Sequence, residues 1–153
     1  MNIEYKKASL HNISDMQELV LPEVESGIIL ERSSDEIATN IRSYTLAYHS
    51  DKLIGFCALH VHTASLAEIR SLIVKDGFRG KKIGENLIKI CSEEAQNLGL
   101  EKLLSLTYKQ SFFEKLGFVE IQKESIPEHK IWADCIKCKH FPVCNEVSLI
   151  KNL

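Results

Sequence analysis

One stretch constrains this chain more than any other. An apolar run, Leu72-Ile73-Val74, breaks at Gly77-Phe78-Arg79-Gly80 and gives way to a repeat in which Ile83, Leu87, Ile90, Cys91, Ala95 and Leu98 recur at helical spacing before Gly99. The run lacks alternation, as expected of a strand covered on both faces. The repeat has the period of an amphipathic helix over about residues 81–98, and Gly99 suits its C-terminal stop. A strand that feeds a tight glycine turn and then a helix start is an anion site. The first N–H groups of a helix lack internal partners, and the helix dipole adds partial positive charge there. Arg79, Lys81 and Lys82 contribute formal charge, and Gly80 and Gly84 allow backbone and phosphate to approach closely. The pattern Arg79-Gly80-Lys81-Lys82-Ile83-Gly84 is neither G-x-G-x-x-G nor a P-loop, which argues against nicotinamide dinucleotides and nucleoside triphosphates.

The flanking sequence supplies a sheet for this unit. Period-two or short apolar segments predict strands over residues 3–8, 45–49, 52–61, 66–74, 103–106, 118–122 and 146–150, the second and third joined at Ser50-Asp51. Helical spacing predicts helices from Ser9 or Asn12 to about Val24, from an N-cap at Ser34 through Ile37, Ile41 and Tyr44, and over residues 112–116 before Gly117. The expected fold is α/β (α+β): one mixed, mostly antiparallel sheet of six or seven strands with helices on both faces. The length of 153 residues fits one domain, residues 1–153, in which 129–153 form a cysteine-containing tail.

Charge and cysteine usage exclude several classes. With 19 basic and 21 acidic side chains there is no broad positive field for a nucleic acid backbone. No apolar run approaches the ~20 residues of a membrane helix, and the N-terminus lacks the apolar segment of a signal peptide. Five cysteines is an odd count, with Cys57 and Cys91 inside apolar stretches, which points to a reducing cytosol and core thiols, not a disulfide framework.

The segment Val74–Gly84 resembles the acetyl-coenzyme A motif of the GNAT superfamily of N-acetyltransferases, Gln/Arg-x-x-Gly-x-Gly/Ala after a strand. Lys82 stands where the middle glycine is expected and is read as still offering an amide N–H in helical geometry. Phe112-Phe113-Glu114-Lys115-Leu116-Gly117-Phe118 is similar to a downstream segment of the same superfamily. The resemblance implies a V-shaped splay beside Leu72, Ile73 and Val74, in which the pantetheine arm of acetyl-coenzyme A lies. It implies a phosphate cradle at Arg79, Gly80, Lys81, Lys82, Ile83 and Gly84, with Phe113 nearby.

The narrower resemblance is to small amino-acid N-acetyltransferases of the N-acetylglutamate synthase type. It rests on Leu30-Glu31-Arg32-Ser33, Ala67-Glu68-Ile69-Arg70-Ser71-Leu72, Leu106-Thr107-Tyr108, Lys130-Ile131-Trp132-Ala133-Asp134-Cys135 and the tail Cys135-x-x-Cys138-x5-Cys144-x-Glu146. It implies acetylation of the α-amino group of L-glutamate, the first step of arginine biosynthesis, in the cytoplasm, by a monomer or homodimer. Another small amine, a polyamine or a protein amine is the alternative acceptor. A non-catalytic acyl-CoA-binding regulatory module is the alternative class.

An amino-acid acceptor needs its carboxylates held, and the guanidinium fork pairs them bidentately. Arg32, Arg70 and then Lys130 are the candidates. The ammonium must lose a proton before it attacks a thioester, so a base is needed. Glu68, four residues before Leu72 on the strand beside the gap, is that candidate. A backbone N–H near Ile73 or Val74 is the candidate to polarise the thioester carbonyl. Many superfamily members carry a tyrosine acid where this chain has Phe113, so Tyr108 is the substitute proton donor. In the tail, Cys135, Cys138, His140 and Cys144 have the composition of a structural zinc site. His140 lies only two residues from Cys138, and a lone Cys-x-x-Cys needs a second pair, so the expectation is no metal and reduced cysteines packed on the sheet.

Overall fold

The computed structural model describes residues 2–126 and 146–153. Lys130, Cys135, Cys138, His140 and Cys144 lie outside them. Seven strands form one sheet: β1 (Ile3–Lys7), β2 (Tyr44–His49), β3 (Lys52–Val61), β4 (Leu66–Val74), β5 (Lys102–Thr107), β6 (Val119–Ile121) and β7 (Val147–Asn152), in the order β1-β2-β3-β4-β5-β7-β6. All neighbours are antiparallel except β4 and β5, the mixed sheet the sequence predicts. Among the described residues four α-helices accompany it: α1 (Ile13–Glu25), α2 (Ser34–Thr39), α3 (Ile83–Leu98) and α4 (Gln110–Glu114).

Two cores lie on opposite faces of the sheet. On one, Ile83, Leu87, Ile88, Cys91 and Ala95 of α3 pack with Ala47, Ile54, Ala67, Ile69 and Leu103. On the other, Met16 of α1 and Ile37 of α2 pack with Leu46, Phe56, Ala58 and Ile73. Both faces of the central strands are covered, so buried residues run consecutively along them, from Tyr44 to Tyr48 in β2 and from Ile54 to Leu59 in β3, where the sequence predicts alternation.

Three local expectations are corrected. The second helix ends at Thr39, not Tyr44, and Tyr44 opens β2 opposite Ala58. Ile37, Ile41 and Tyr44 fit a helical stripe, but Tyr44 gains more by burying its ring edge-on to Phe56, 5.8 Å between centroids. The cap of α2 is Ser33, not Ser34: its hydroxyl accepts from the Glu36 amide at 3.1 Å, and the Ser33 amide donates back to the Glu36 carboxylate at 3.3 Å. The third helix starts at Ile83, because Lys82 is its N-cap in a left-handed conformation, φ 64°.

Candidate functional site

The site arises where β4 leaves β5. The parallel pairing runs from Leu66 opposite Lys102 to Ile69 opposite Ser105 and stops, while β4 continues to Val74 and β5 to Thr107. Beyond that point the facing backbone groups of the two strands need other partners. The departure begins at an irregularity. From Ala58–Arg70 to Phe56–Ile73, three steps along β4 answer two along β3, and Ser71 carries the extra residue at φ 59°. A non-glycine residue at positive φ costs on the order of 1–3 kcal/mol and persists only where its surroundings fix it. The bulge turns the last residues of β4 away from β5, while Ile73 and Val74 stay paired with Phe56 and Gly55 of β3.

A cleft of about 280 Å³ fills the gap. Of the sequence candidates, the structure brings Arg32, Glu68, Arg70, Leu72, Ile73, Val74, Arg79, Tyr108 and Phe113 to its walls. Phe113 is buried, edge-on to Phe112 and Phe118, and Tyr108 is 43% exposed. Arg32 comes from the loop before α2. Its backbone carbonyl accepts from Gln17, its guanidinium lies 3.8 Å from Glu36, and its side chain is 17% exposed.

Beside the cleft lies the turn. Arg79 fastens it: Nε donates to the Val74 carbonyl at 3.0 Å, and the guanidinium meets Glu23 of α1 at 3.1 Å and Asp76 at 3.0 Å. Gly80, Lys81 and Lys82 are exposed. Ile83 is a core side chain, 2% exposed, so only its backbone is offered outward. No side chain caps α3, in contrast to α2, so the first amides of α3 remain as donors for an anion. The turn therefore fits a pyrophosphate. Gly84 faces Phe112 and Val74: a Cβ there would lie 3.4 Å from Phe112 Cζ and 3.6 Å from Val74 Cγ2, which leaves room for a methyl group but not for a longer side chain pointing the same way.

Lys82 is a correction. Its amide is not in helical geometry; the position takes the left-handed conformation that glycine adopts freely. Replacing Lys82 by Gly is expected to stabilise the fold by about 1 kcal/mol, or roughly 2–4 °C in Tm. Calorimetric melting checks this, and a lower Tm would show that the lysine side chain offsets the strain.

Sequence reasoning missed a pair at the inner end of the cleft. Glu68 is buried, and its Oε1 lies 2.8 Å from Nε2 of His62. His60 faces Glu68 across the β3–β4 register and meets His62 edge-on, 4.7 Å between ring centroids. The available signal was the alternation His60-x-His62 closing an apolar strand one short turn before Glu68. On the opposite face, Cys57 and Cys91 are buried free thiols with sulfurs 3.0 Å apart. Their mutual hydrogen bond, then burial, push the Cys57 thiol well above its ordinary pKa. It stays protonated, as a core thiol does. Among the described residues no cluster of three or more His, Cys, Asp or Glu could hold a metal ion, and no helix is long and apolar enough to cross a membrane.

Residues 40–120 match the model of the acetyltransferase (GNAT) domain. The chain is 35% identical over 148 residues to an uncharacterized N-acetyltransferase of Chlorobaculum tepidum, covering 97% of this chain and 95% of that protein. It is 26% identical over 129 residues to the amino-acid acetyltransferase of Salmonella typhimurium, spanning 83% of this chain but only 29% of that one. In fold it is similar to N-acetylglutamate synthase from Neisseria gonorrhoeae, solved with coenzyme A and N-acetyl-glutamate. The TM-score is 0.90 at 23% identity, over 100% of this chain and 35% of that one.

Proposed function

This chain belongs to the GNAT acetyltransferase family, and from that premise we propose that it moves the acetyl group of acetyl-coenzyme A onto the α-amino group of a small amino acid, L-glutamate. The observation that carries the reading is the meeting of two arginines from different elements, Arg32 and Arg70, with a buried carboxylate in the cleft opened by the β4 splay. Glutamate presents two carboxylates, and two guanidinium forks answer them. The names of the amino-acid acetyltransferases and of the N-acetylglutamate synthase point the same way.

In this reading acetyl-coenzyme A supplies an activated thioester. Its pyrophosphate rests on the α3 N-terminus, and its arm pairs with the freed edge of Leu72 to Val74. Arg32 and Arg70 hold the acceptor, with Lys130 assigned to the same task. Glu68 takes one proton from the ammonium, and the neutral amine forms the C–N bond as the C–S bond breaks. A backbone N–H near Ile73 or Val74 steadies the charge on the thioester oxygen, and Tyr108 gives a proton to the departing thiolate and takes back the second proton that the nitrogen sheds as the amide forms. The reaction is placed in the cytosol, in keeping with the free thiols of Cys57 and Cys91.

The deciding experiment is thiol release by the pure protein against a panel of amino acids, polyamines and peptide amines. Release with L-glutamate above the others supports the reading. Release with another acceptor alone replaces the substrate, and binding without release leaves only an acyl-CoA sensor. Cofactor placement has its own test. At a hundredfold excess over Kd, acetyl-coenzyme A is expected to raise Tm by about 5–10 °C, because it binds only the native state. Gly84→Glu sets bulk and negative charge at the phosphate turn and should abolish that rise. If the variant melts as a folded protein and keeps the full shift, the turn is not the cofactor site.

A further inference from the structure

The β3–β4 hairpin is apolar for most of its length and then places a carboxylate and two imidazoles together. The side chains of His62 and Glu68 are each 2% exposed. They sit diagonally across the antiparallel pair, where side chains two residues out of register still meet. Burying a carboxylate without a donor is costly, so this pairing is a requirement of the fold as well as a contact. An ionised carboxylate only accepts, so the proton of the 2.8 Å bond belongs to His62 Nε2.

The backbone holds the imidazole in place. The His62 amide donates to the Leu66 carbonyl at 2.9 Å. The turn that follows is locked by Thr63 Oγ1, which accepts from the amides of Ser65 at 3.2 Å and Leu66 at 3.0 Å. The Ser65 carbonyl accepts from the Glu101 and Lys102 amides, at 2.9 and 3.0 Å, and so hooks the turn to the start of β5. His60 covers the ring edge-on. The imidazole is thus fixed by the same hairpin that delivers Glu68 to the cleft.

We infer that His62 is a positioning residue for acetyl transfer: its Nε2–H fixes the orientation of the Glu68 carboxylate and favours its ionised form, so that Glu68 meets the acceptor ammonium as a base. The inference rests on the reading of Glu68 as that base. It assigns no proton transfer to His62. Among the described residues, the other charged or titratable groups sharing the cleft with Glu68 are Arg70 on its own strand, Arg32 before α2, Tyr108 and Lys109 after β5, and Glu146 before β7, while Glu23 and Arg79 pair with each other at its far side.

The test compares His62→Ala and His62→Gln by kcat/KM for the acceptor across pH, with the acetyl-coenzyme A melting shift as the check of folding. Glutamine keeps an N–H donor of similar reach. A hydrogen bond to the charged form lowers a carboxylate pKa, so losing it raises the pKa. The acidic limb of the profile in His62→Ala should therefore move up by about one pH unit, with roughly a tenfold loss at neutral pH. His62→Gln should restore most of both. In a Glu68→Gln background, His62→Ala should cost little more, because the pair acts as a unit. The inference is overturned if the limb stays put in His62→Ala, if the Gln and Ala variants behave alike, or if His62→Ala costs as much without the carboxylate as with it. Failure of the underlying reading looks different: Glu68→Gln alone would then keep both the limb and the turnover.

Discussion

In Glu68→Gln, kcat is expected to fall by about two orders of magnitude or more, the usual contribution of a general base. The amide is nearly isosteric with the carboxylate, and its oxygen still accepts from His62 Nε2, so the sheet around it has no reason to rearrange. Burial sharpens the comparison. At 2% exposure Glu68 is not a surface charge whose removal shifts a screened field, and its loss reports on the cleft. The acidic limb of the pH–rate profile should vanish with it, since that limb records protonation of the base. Retention of the limb together with near-normal turnover would show that water or another group takes the proton.

The next largest effect is expected at the acceptor. Arg32→Ala and Arg70→Ala should each raise KM for the amino acid by about one to two decades, the range for a lost hydrogen bond to a charged group. KM for acetyl-coenzyme A should stay nearly fixed. The Arg32–Glu36 pair spans 3.8 Å to a Glu36 whose side chain is 45% exposed, and such a pair contributes under about 1 kcal/mol, so its loss does not by itself account for a change in acceptor KM. Initial rates with each substrate varied in turn check the split. Wild-type acceptor KM in both variants would move the carboxylate site elsewhere.

What the residues disclose in advance follows from the range of the forces involved. The bounds of β3 and β4 and the period of α3 are legible because burial writes them into consecutive side chains. The phosphate turn is legible because glycine and basic residues mark it locally. The left-handed backbone at Lys82 and Ser71 is not, since neither residue type announces positive φ; the surrounding chain imposes it. The early end of α2 is hidden by a stripe that suits a helix and a strand alike, and pairing of Tyr44 with Ala58 decides it. The His62–Glu68 contact depends on hairpin register, a property of two strands and not of either alone.

The short parallel join between β4 and β5 has a mechanical consequence. Strands β1 to β4 carry α3 and α1 packed against them, while β5, β7 and β6 carry α4 along β6 and β7. Between the two halves the backbone ladder is only four register pairs long, Leu66 to Ile69, and the rest of their union is the side-chain core in which α3 meets Leu103 and Leu149. Past Ile69 the halves are held by packing without a ladder, so the open end of the V is where local opening costs least. Whatever molecule lies in the open end of the V bridges both halves, and so acts on the molecule as a splint.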